Sequence, residues 1–465
     1  MSYLLRAMGL WVWGLIAIAI SVSLVSLSYR TLSVYRPHYA VDATTRGAAP
    51  SRLQDAGAFT GVAPRPTGGG GAASHSSKPV ISKIIGKDMS AAQKALQAGQ
   101  WSEALRNLDA ARSKSPLTNY DVKSIEEFTG ITNVRLHNLT AAQTAYEAAL
   151  ATGAYKTEEL AKIFRLLFQL AAVNKQDAKA IGYGERAADA GSASENDLMI
   201  MSQLYYQQKD CENSAVWGDK ALAAFKEAGQ PPKEVLYQLK LQCANNANDT
   251  SGMKAALYDL VRLTNKTSYW NNLLRLERQD ERVDHNTLMF YRVMFDTHSM
   301  NADTDYIEMA QLLGDAGLPG EAQVVVEKAM SSGVLRDEHK ERTTRLLSAY
   351  RARADSDQNG LAALEAEAAK NPAGQLDLKL GEVYFAAGDY QDAVTAINRA
   401  LGKGQIKEWD EAYVYLGRAQ AALKNIPEAK KAFEKLKTLP NTSPRVLKLW
   451  NLYADVMPET ASQPP

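Results

Sequence analysis

The side chains that could do chemistry are few, and they do not gather. The six histidines, His38, His75, His137, His285, His298 and His339, are scattered along the chain. None belongs to the His-Glu-x-x-His spacing that puts two imidazoles on one helix face for zinc. No Gly-x-Ser-x-Gly elbow exposes a nucleophile. The tetrad Gly68 to Gly71 is followed by no Lys-Ser or Lys-Thr and preceded by no strand, so it lacks the groups a phosphate loop needs. Glu126-Glu127, Glu158-Glu159 and Asp280-Glu281 imitate carboxylate pairs, but sequence neighbours point to different faces of a helix, and they read as solvated surface. Cys211 and Cys243 lack the further ligands of a four-coordinate metal site. They read either as a disulfide suited to an oxidising compartment or as two small side chains filling apolar positions. No catalytic residue, metal or cofactor is expected.

What the chain does hold in register is a set of small and large apolar residues. Gly381 and Gly417 lie 36 positions apart (417 − 381), and the same offset carries Leu380 to Leu416, Ala393 to Ala429, Ile397 to Phe433 and Ala400 to Leu436. Ala393, Ile397 and Ala400 fall on one face of a helix, with Gly381 and Tyr384 on the helix before it. Small side chains at Gly381 and Ala393 let the two helices approach, and Tyr390 and Ile397 fill the groove beside them. Gly388-Asp389 makes the turn between them, glycine supplying the left-handed backbone. A hairpin that recurs in this way buries its apolar face by stacking on its neighbours.

These residues resemble the tetratricopeptide repeat, a helix-turn-helix unit of about 34 residues. Ala92, Gly99, Trp101, Ala104, Leu108, Ala111 and Pro116 occupy its signature positions in an early copy. Gly130, Leu139, Ala142, Tyr146 and Ala149 mark a second, Ala180 and Ala187 a third, and Ser202, Tyr205, Ser214 and Ala221 a fourth. Ala256, Leu260 and Leu263 suggest a fifth, and Ala310, Gly317, Ala322, Val326 and Ala329 another before the closing pair. Residues 267–300 and 337–372 are each long enough for one helical pair but lack the small residues in register, and read as degenerate copies. The resemblance implies an all-α, TPR-like solenoid, a right-handed superhelix of about ten hairpins over residues 83–440. Residues 441–457, with Val446, Leu447, Leu449, Trp450 and Tyr453, read as a capping helix, and 458–465 as a frayed tail.

The family resemblance also implies where a partner would lie. In such proteins the first helix of each hairpin lines a concave groove, and the groove-facing position here holds Gln93, Ile131, Gln169, Gln203, Asn245, Gln311, Glu382 and Arg418. Gln93, Gln169, Gln203, Asn245 and Gln311 are amides, able to donate to and accept from the backbone of an extended peptide. The alternative is that they merely keep an open groove wet. Met89 and Gln93 stand where chaperone-binding members carry lysine and asparagine, so a carboxylate clamp is not implied.

Composition and the N-terminal segment bound the setting. Lys plus Arg number 53 against 52 Asp plus Glu, so no net field recruits nucleic acid. Residues 1–6 form a short tail, and 7–28 carry no charge and enough apolar residues to cross a bilayer, reading as a transmembrane helix or signal anchor. Ser26-Leu27-Ser28 offers a cleavage site, which keeps a removed signal peptide and a soluble periplasmic protein as the alternative. Arg6 precedes the segment and Arg30, Arg36 and Arg46 follow it, so the charge rule alone does not favour a cytoplasmic N-terminus; long domains translocate largely regardless of such charges. Residues 29–82 are rich in Gly, Pro and Ser and read as a flexible linker.

Over residues 80–335 the order Tyr269-Trp270, Tyr291-Arg292, Tyr306 and Gly317-Leu318-Pro319-Gly320-Glu321-Ala322 is similar to bacterial repeat proteins associated with TonB-type energy-transduction systems. That resemblance implies a scaffolding role in the cell envelope. The expectation is therefore a non-catalytic adaptor, single-pass in a bacterial inner membrane, with its array in the periplasm and a protein or peptide as partner. The alternative is a non-catalytic subunit of an envelope enzyme or transporter.

Overall fold

The computed structural model describes residues 80–279, 284–440 and 442–457. The expected tail 1–6, membrane segment 7–28, nearly all of the linker, the glycine tetrad, His38, His75, the Asp280-Glu281 pair and the tail 458–465 lie outside the described residues. Among the described residues there are twenty-one α-helices and no strand. No helix among them is long and apolar enough to cross a membrane. By its internal packing the chain divides into two compact units between Gln230 and Pro231.

The first unit holds α1 (Lys83–Gln97), α2 (Trp101–Arg112), α3 (Asn119–Arg135), α4 (Leu139–Ala151), α5 (Thr157–Val173), α6 (Asp177–Asp189), α7 (Glu195–Gln207) and α8 (Cys211–Glu227). Each odd-numbered helix pairs tightly with the next, and each hairpin packs on the following one. Gly130 shows why the pairing is close: a Cβ there would lie 2.6 Å from the ring of Tyr146 on α4. The core is broken into three successive clusters, centred on Ile85 and Leu108, on Tyr146 and Leu167, and on Phe168 and Trp217. A polar ladder joins the hairpins at a fixed interval. Asp121, Glu159 and Asp197, 38 residues apart each time (159 − 121 and 197 − 159), stand in the first turns of α3, α5 and α7. Each accepts a backbone N–H at its own helix start, from Thr118 at 2.9 Å, Lys156 at 3.0 Å and Ser194 at 2.9 Å. Each also accepts from the hairpin before it: Ser82 Oγ at 2.6 Å, Lys123 Nζ at 2.7 Å and Arg165 Nε at 2.6 Å.

The second unit holds α9 (Glu234–Asn246), α10 (Thr250–Thr264), α11 (Thr267–Arg278), α12 (Asp284–Asp296), α13 (Asp303–Asp315), α14 (Pro319–Ser331), α15 (Asp337–Asn359), α16 (Leu361–Lys370), α17 (Gln375–Ala387), α18 (Tyr390–Lys403), α19 (Trp409–Ala422), α20 (Ile426–Lys435) and α21 (Pro444–Val456). A Cβ on Gly381 would meet Ile397 at 2.5 Å and one on Gly417 would meet Phe433 at 2.4 Å, the same close approach as at Gly130. Ala393, Ala400 and Ala429 are fully buried beside them. The stretches without small residues in register form looser pairs. α11 and α12 touch only lightly, and the 23-residue α15 packs on α14 far more than on α16, with Tyr350 filling the space above Gly314. The unit also packs beyond nearest neighbours: α21 lies against α10 and α12, and α14 against α17. One apolar cluster consequently runs from Leu257 to Ala454.

Among the described residues, eight turns within hairpins carry a left-handed residue. Gly99, Gly317 and Gly388 fill three of them, Gly388 at φ +85°, and His137, Lys175, Lys209, Asn248 and Lys424 the others at φ between +55° and +64°. Sequence reasoning expects glycine there and so overlooks the five that lack it. Trp101 opens α2, Ala104, Ala111 and Ala142 are fully buried, Tyr390 opens α18 with its ring edge-on to Phe385, and Pro116 lies in the loop between α2 and α3.

Candidate functional site

The strongest concentration of chemistry lies inside the second unit. α12 contributes Arg292 and, one turn on, Asp296; α19 contributes Glu411, Tyr415 and Arg418, spaced along one helix face; α14 contributes Glu321 from its first turn, just after Pro319. All but Asp296 are buried, Arg292 to 0% exposure and Glu321 to 5%. Arg292 donates to Glu321 at 3.3 and 3.0 Å, to Glu411 at 2.5 Å and to the Tyr415 hydroxyl at 2.9 Å. Tyr415 in turn donates to Glu321 at 2.5 Å. Arg418 donates to both oxygens of Asp296 at 2.8 and 3.0 Å and to Glu321 at 2.6 Å. Its guanidinium lies 4.6 Å from the centroid of the Phe385 ring.

The charges fix each other's state. Burial by itself would discharge Glu321, but Arg292 and Arg418 beside it outweigh that and hold its carboxyl down at about 2. Burial likewise works against Arg292, and Glu321 and Glu411 more than offset it, so its pKa is raised. With two guanidinium groups against three carboxylates, every member has a counter-charge, the condition for keeping ions out of water.

Beside this cluster a cavity of about 260 Å³ opens between α14, α15 and α17. Glu321 and Tyr415 belong both to its wall and to the charge cluster, and Glu382 on α17 faces it. Burial pushes the Glu382 carboxyl up to about 8; Lys379 pulls the other way and Glu411 adds to the rise.

The residues singled out from the sequence go to different places. Gln169 is buried and donates to Asp197 at 3.0 Å, as part of the ladder between hairpins. Gln203 is also buried, Gln93 and Gln311 are half-buried, and Asn245 is exposed. Gln93, Gln169 and Gln203 lie in the first unit and Asn245 and Gln311 in the second. Arg418 joins the charge cluster and Glu382 the cavity. Cys211 opens α8 and Cys243 lies on α9, and neither thiol is free. Of the supposed surface carboxylates, Glu126 accepts from Arg112 at 2.9 Å, Glu159 serves the ladder, and Glu127 is buried rather than solvated. Among the described residues no group of three His, Cys, Asp or Glu could hold a metal ion.

The aromatic and charged series from Tyr269 to Ala322 is taken up by packing. Trp270 is buried with its Nε1 donating to Asn265 at 2.8 Å, Tyr269 donates to Glu234 at 2.5 Å, and Tyr291 donates to Glu308 at 2.6 Å. The charge cluster itself was missed from the sequence. Its one signal was Arg292 inside the apolar run Leu288 to Met294, a cation that a buried helix face tolerates only with partners.

A family model described as tetratricopeptide repeat matches residues 352–408 and 378–444. No curated protein matches the chain in sequence. Among solved structures, the chain is similar to a tetratricopeptide repeat protein from Parabacteroides merdae, at 12% identity over 80% of this chain and 99% of that one, with a TM-score of 0.27. The C-terminal part of a TPR repeat-containing protein from Cytophaga hutchinsonii matches at 12% identity over 56% and 95%, with a TM-score of 0.30. The TPR domain of P58(IPK) matches at 15% identity over 73% and 98%, with a TM-score of 0.20.

Proposed function

We propose that this chain, whose residues 352–444 carry tetratricopeptide repeats, is a protein-interaction scaffold tethered to a bacterial inner membrane by residues 7–28, with its array in the periplasm. The observation that carries the reading is the repeat itself: hairpins whose two helices close on each other at Gly130, Gly381 and Gly417, each hairpin packed on its neighbour. Such stacks present long surfaces to other proteins. The charge-free segment 7–28 supports the tether. The sequence likeness around Tyr269 to Ala322 makes a TonB-type envelope complex the first partner to try.

The groove amides need sorting before they are tested. Gln169 is committed to Asp197, so its replacement reports on the fold. Asn245 is exposed and Gln93 and Gln311 are half-buried, which makes them the probes of binding. The chain should be purified from membranes with mild detergent after cross-linking, with and without Asn245→Ala, Gln93→Ala and Gln311→Ala. Loss of a captured partner with unchanged helix content supports the scaffold; unaltered capture removes the amides from the binding surface. Recovery of one enzyme or transporter at constant stoichiometry would favour the subunit reading instead. A reporter fused after residue 465 tests the orientation.

A further inference from the structure

The hairpins of the first unit stack through one face of each leading helix. Ile125 of α3 joins the apolar cluster of α1 and α2, and Ile163, Leu167 and Leu170 of α5 join that of α3 and α4. The second helices of these hairpins open at Trp101, Leu139 and Asp177, 38 residues apart each time (139 − 101 and 177 − 139). Carried back by that interval twice, the positions of Ile163, Leu167 and Leu170 fall on Lys87, Ala91 and Lys94 of α1. Ile163, Leu167 and Leu170 are 0% exposed, whereas Lys87 and Lys94 are open to water and Ala91 is half-buried. The stacking face of α1 thus stands open, its own packing being on α2 and α3.

The chemistry of this face is not that of a plain end cap. A cap needed only for solubility is polar on its outer side, yet Val80 and Ile84 are 44% and 42% exposed here, two of the six large apolar side chains so open among the described residues. Ile84, Lys87, Ala91 and Lys94 share one side of the helix at i, i+3, i+7 and i+10, and Lys83 lies one turn before Lys87. Asp88 is the single acid of α1, and it lies 3.8 Å from Lys114. The face therefore combines two aliphatic side chains with three lysines that have no carboxylate partner among the described residues.

We infer that this end of the array docks on an anionic bilayer surface, with Val80 and Ile84 entering the headgroup boundary and Lys83, Lys87 and Lys94 reaching lipid phosphates. Aliphatic side chains flanked by lysines suit that boundary, because the apolar stems bury while the ammonium groups stay with phosphate and water. Position in the chain favours the same partner. Residues 29–79 are all that separates Ser28 from Val80, and a flexible chain of that length spans roughly 40 Å on average. The inference rests on the tether proposed above, since a few lysines hold a surface only weakly and a tether raises the local concentration to the order of millimolar.

The test is hydrogen exchange of the full chain reconstituted into vesicles of phosphatidylcholine, with and without phosphatidylglycerol, alongside extraction by alkaline carbonate. Exchange in the peptide from Val80 to Gln97 should slow in the anionic vesicles alone and recover at high salt, with α2 to α8 unchanged. Lys87→Gln and Lys94→Gln should each cut that extra protection about fivefold, the factor one lysine contributes near an anionic surface. Ile84→Asn should cut it too. All three side chains are exposed, so these variants should keep their helix content and melting behaviour. Resistance to carbonate reports the tether and should be the same in every variant. Slowed exchange in a chain that carbonate extracts keeps the docking face and overturns the tether. A carbonate-resistant chain whose α1 exchanges alike in both lipids, or an unaffected variant carrying both Lys87→Gln and Lys94→Gln, overturns the docking face and leaves the tether standing. Equal slowing by soluble polyglutamate would assign the face to an acidic protein and overturns it as well.

Discussion

The two units are built from one kind of hairpin and hold together differently. In the first, three apolar clusters follow one another, each spanning neighbouring hairpins, with the Asp121, Glu159 and Asp197 ladder stitching the seams. In the second, one cluster runs from α10 to α21, and Arg292 reaches across 119 residues to Glu411. Equivalent hairpins can therefore give a chain of nearly independent links or a single cooperative body, depending on whether distant helices meet.

Replacing Arg292 with Met should give the largest effect. It leaves Glu321 and Glu411 buried without their main counter-charge, at a cost of about 3–5 kcal/mol. Hydrogen exchange read peptide by peptide should show protection falling together from α10 to α21, with α1 to α8 unchanged. Loss confined to α12 would contradict the single-body description.

Acid and base should also separate the units. The Glu321 carboxyl is held at about 2, against about 4.3 in an unfolded chain. Its stabilisation is complete above about pH 4.3 and is lost as pH falls toward 2, a change of roughly 3 kcal/mol. Glu382 has the opposite sign. Raised to about 8, it holds its proton in the folded state, so stability declines as pH rises from about 4.3 to 8. Denaturant melts across pH 2 to 9 should show both slopes in the second unit, and Glu382→Gln should abolish only the upper one. The first unit should respond less, its Glu159 being half exposed.

A smaller and matched perturbation is Gly130→Ala in the first unit and Gly417→Ala in the second. Each pushes a methyl into an aromatic ring and should cost about 1–3 kcal/mol. Local exchange should rise only in α3 and α4 for the first variant, but throughout the second unit for the other. Smallest of all, Lys175→Gly and Lys424→Gly should each raise stability by at most about 1 kcal/mol in thermal melts, because glycine accepts the left-handed turn without a Cβ clash.

Much of the hairpin architecture was legible because it is local. Gly381 and Ile397, or Gly99 and Trp101, lie within a few turns of each other, and size and spacing suffice to pair them. The pairing of Arg292 with Glu411 was not legible, because no periodicity links residues so far apart and ordinary helix surfaces are full of charges. The ladder acids lay between these cases. Gly153, Gly191 and Gly229 recur at the same 38-residue interval with positive φ, so the period is present in the loops rather than in the small residues inside the helices. The helical position of Glu382 is legible in the sequence, but its cavity depends on α14, α15 and α17 meeting, which only the fold decides.

Asn265, at the end of α10, donates to the backbone of Val456 at 3.4 Å, across 191 residues. On the ribosome this contact imposes a wait. Hairpins of the first unit can close as they emerge, whereas α10 and α12 must stand with apolar flanks uncovered until α21 has been made. At 5–20 residues per second, typical of synthesis, that interval lasts on the order of ten seconds or more. The second unit is thus the part of the chain most in need of a holding chaperone while it is born.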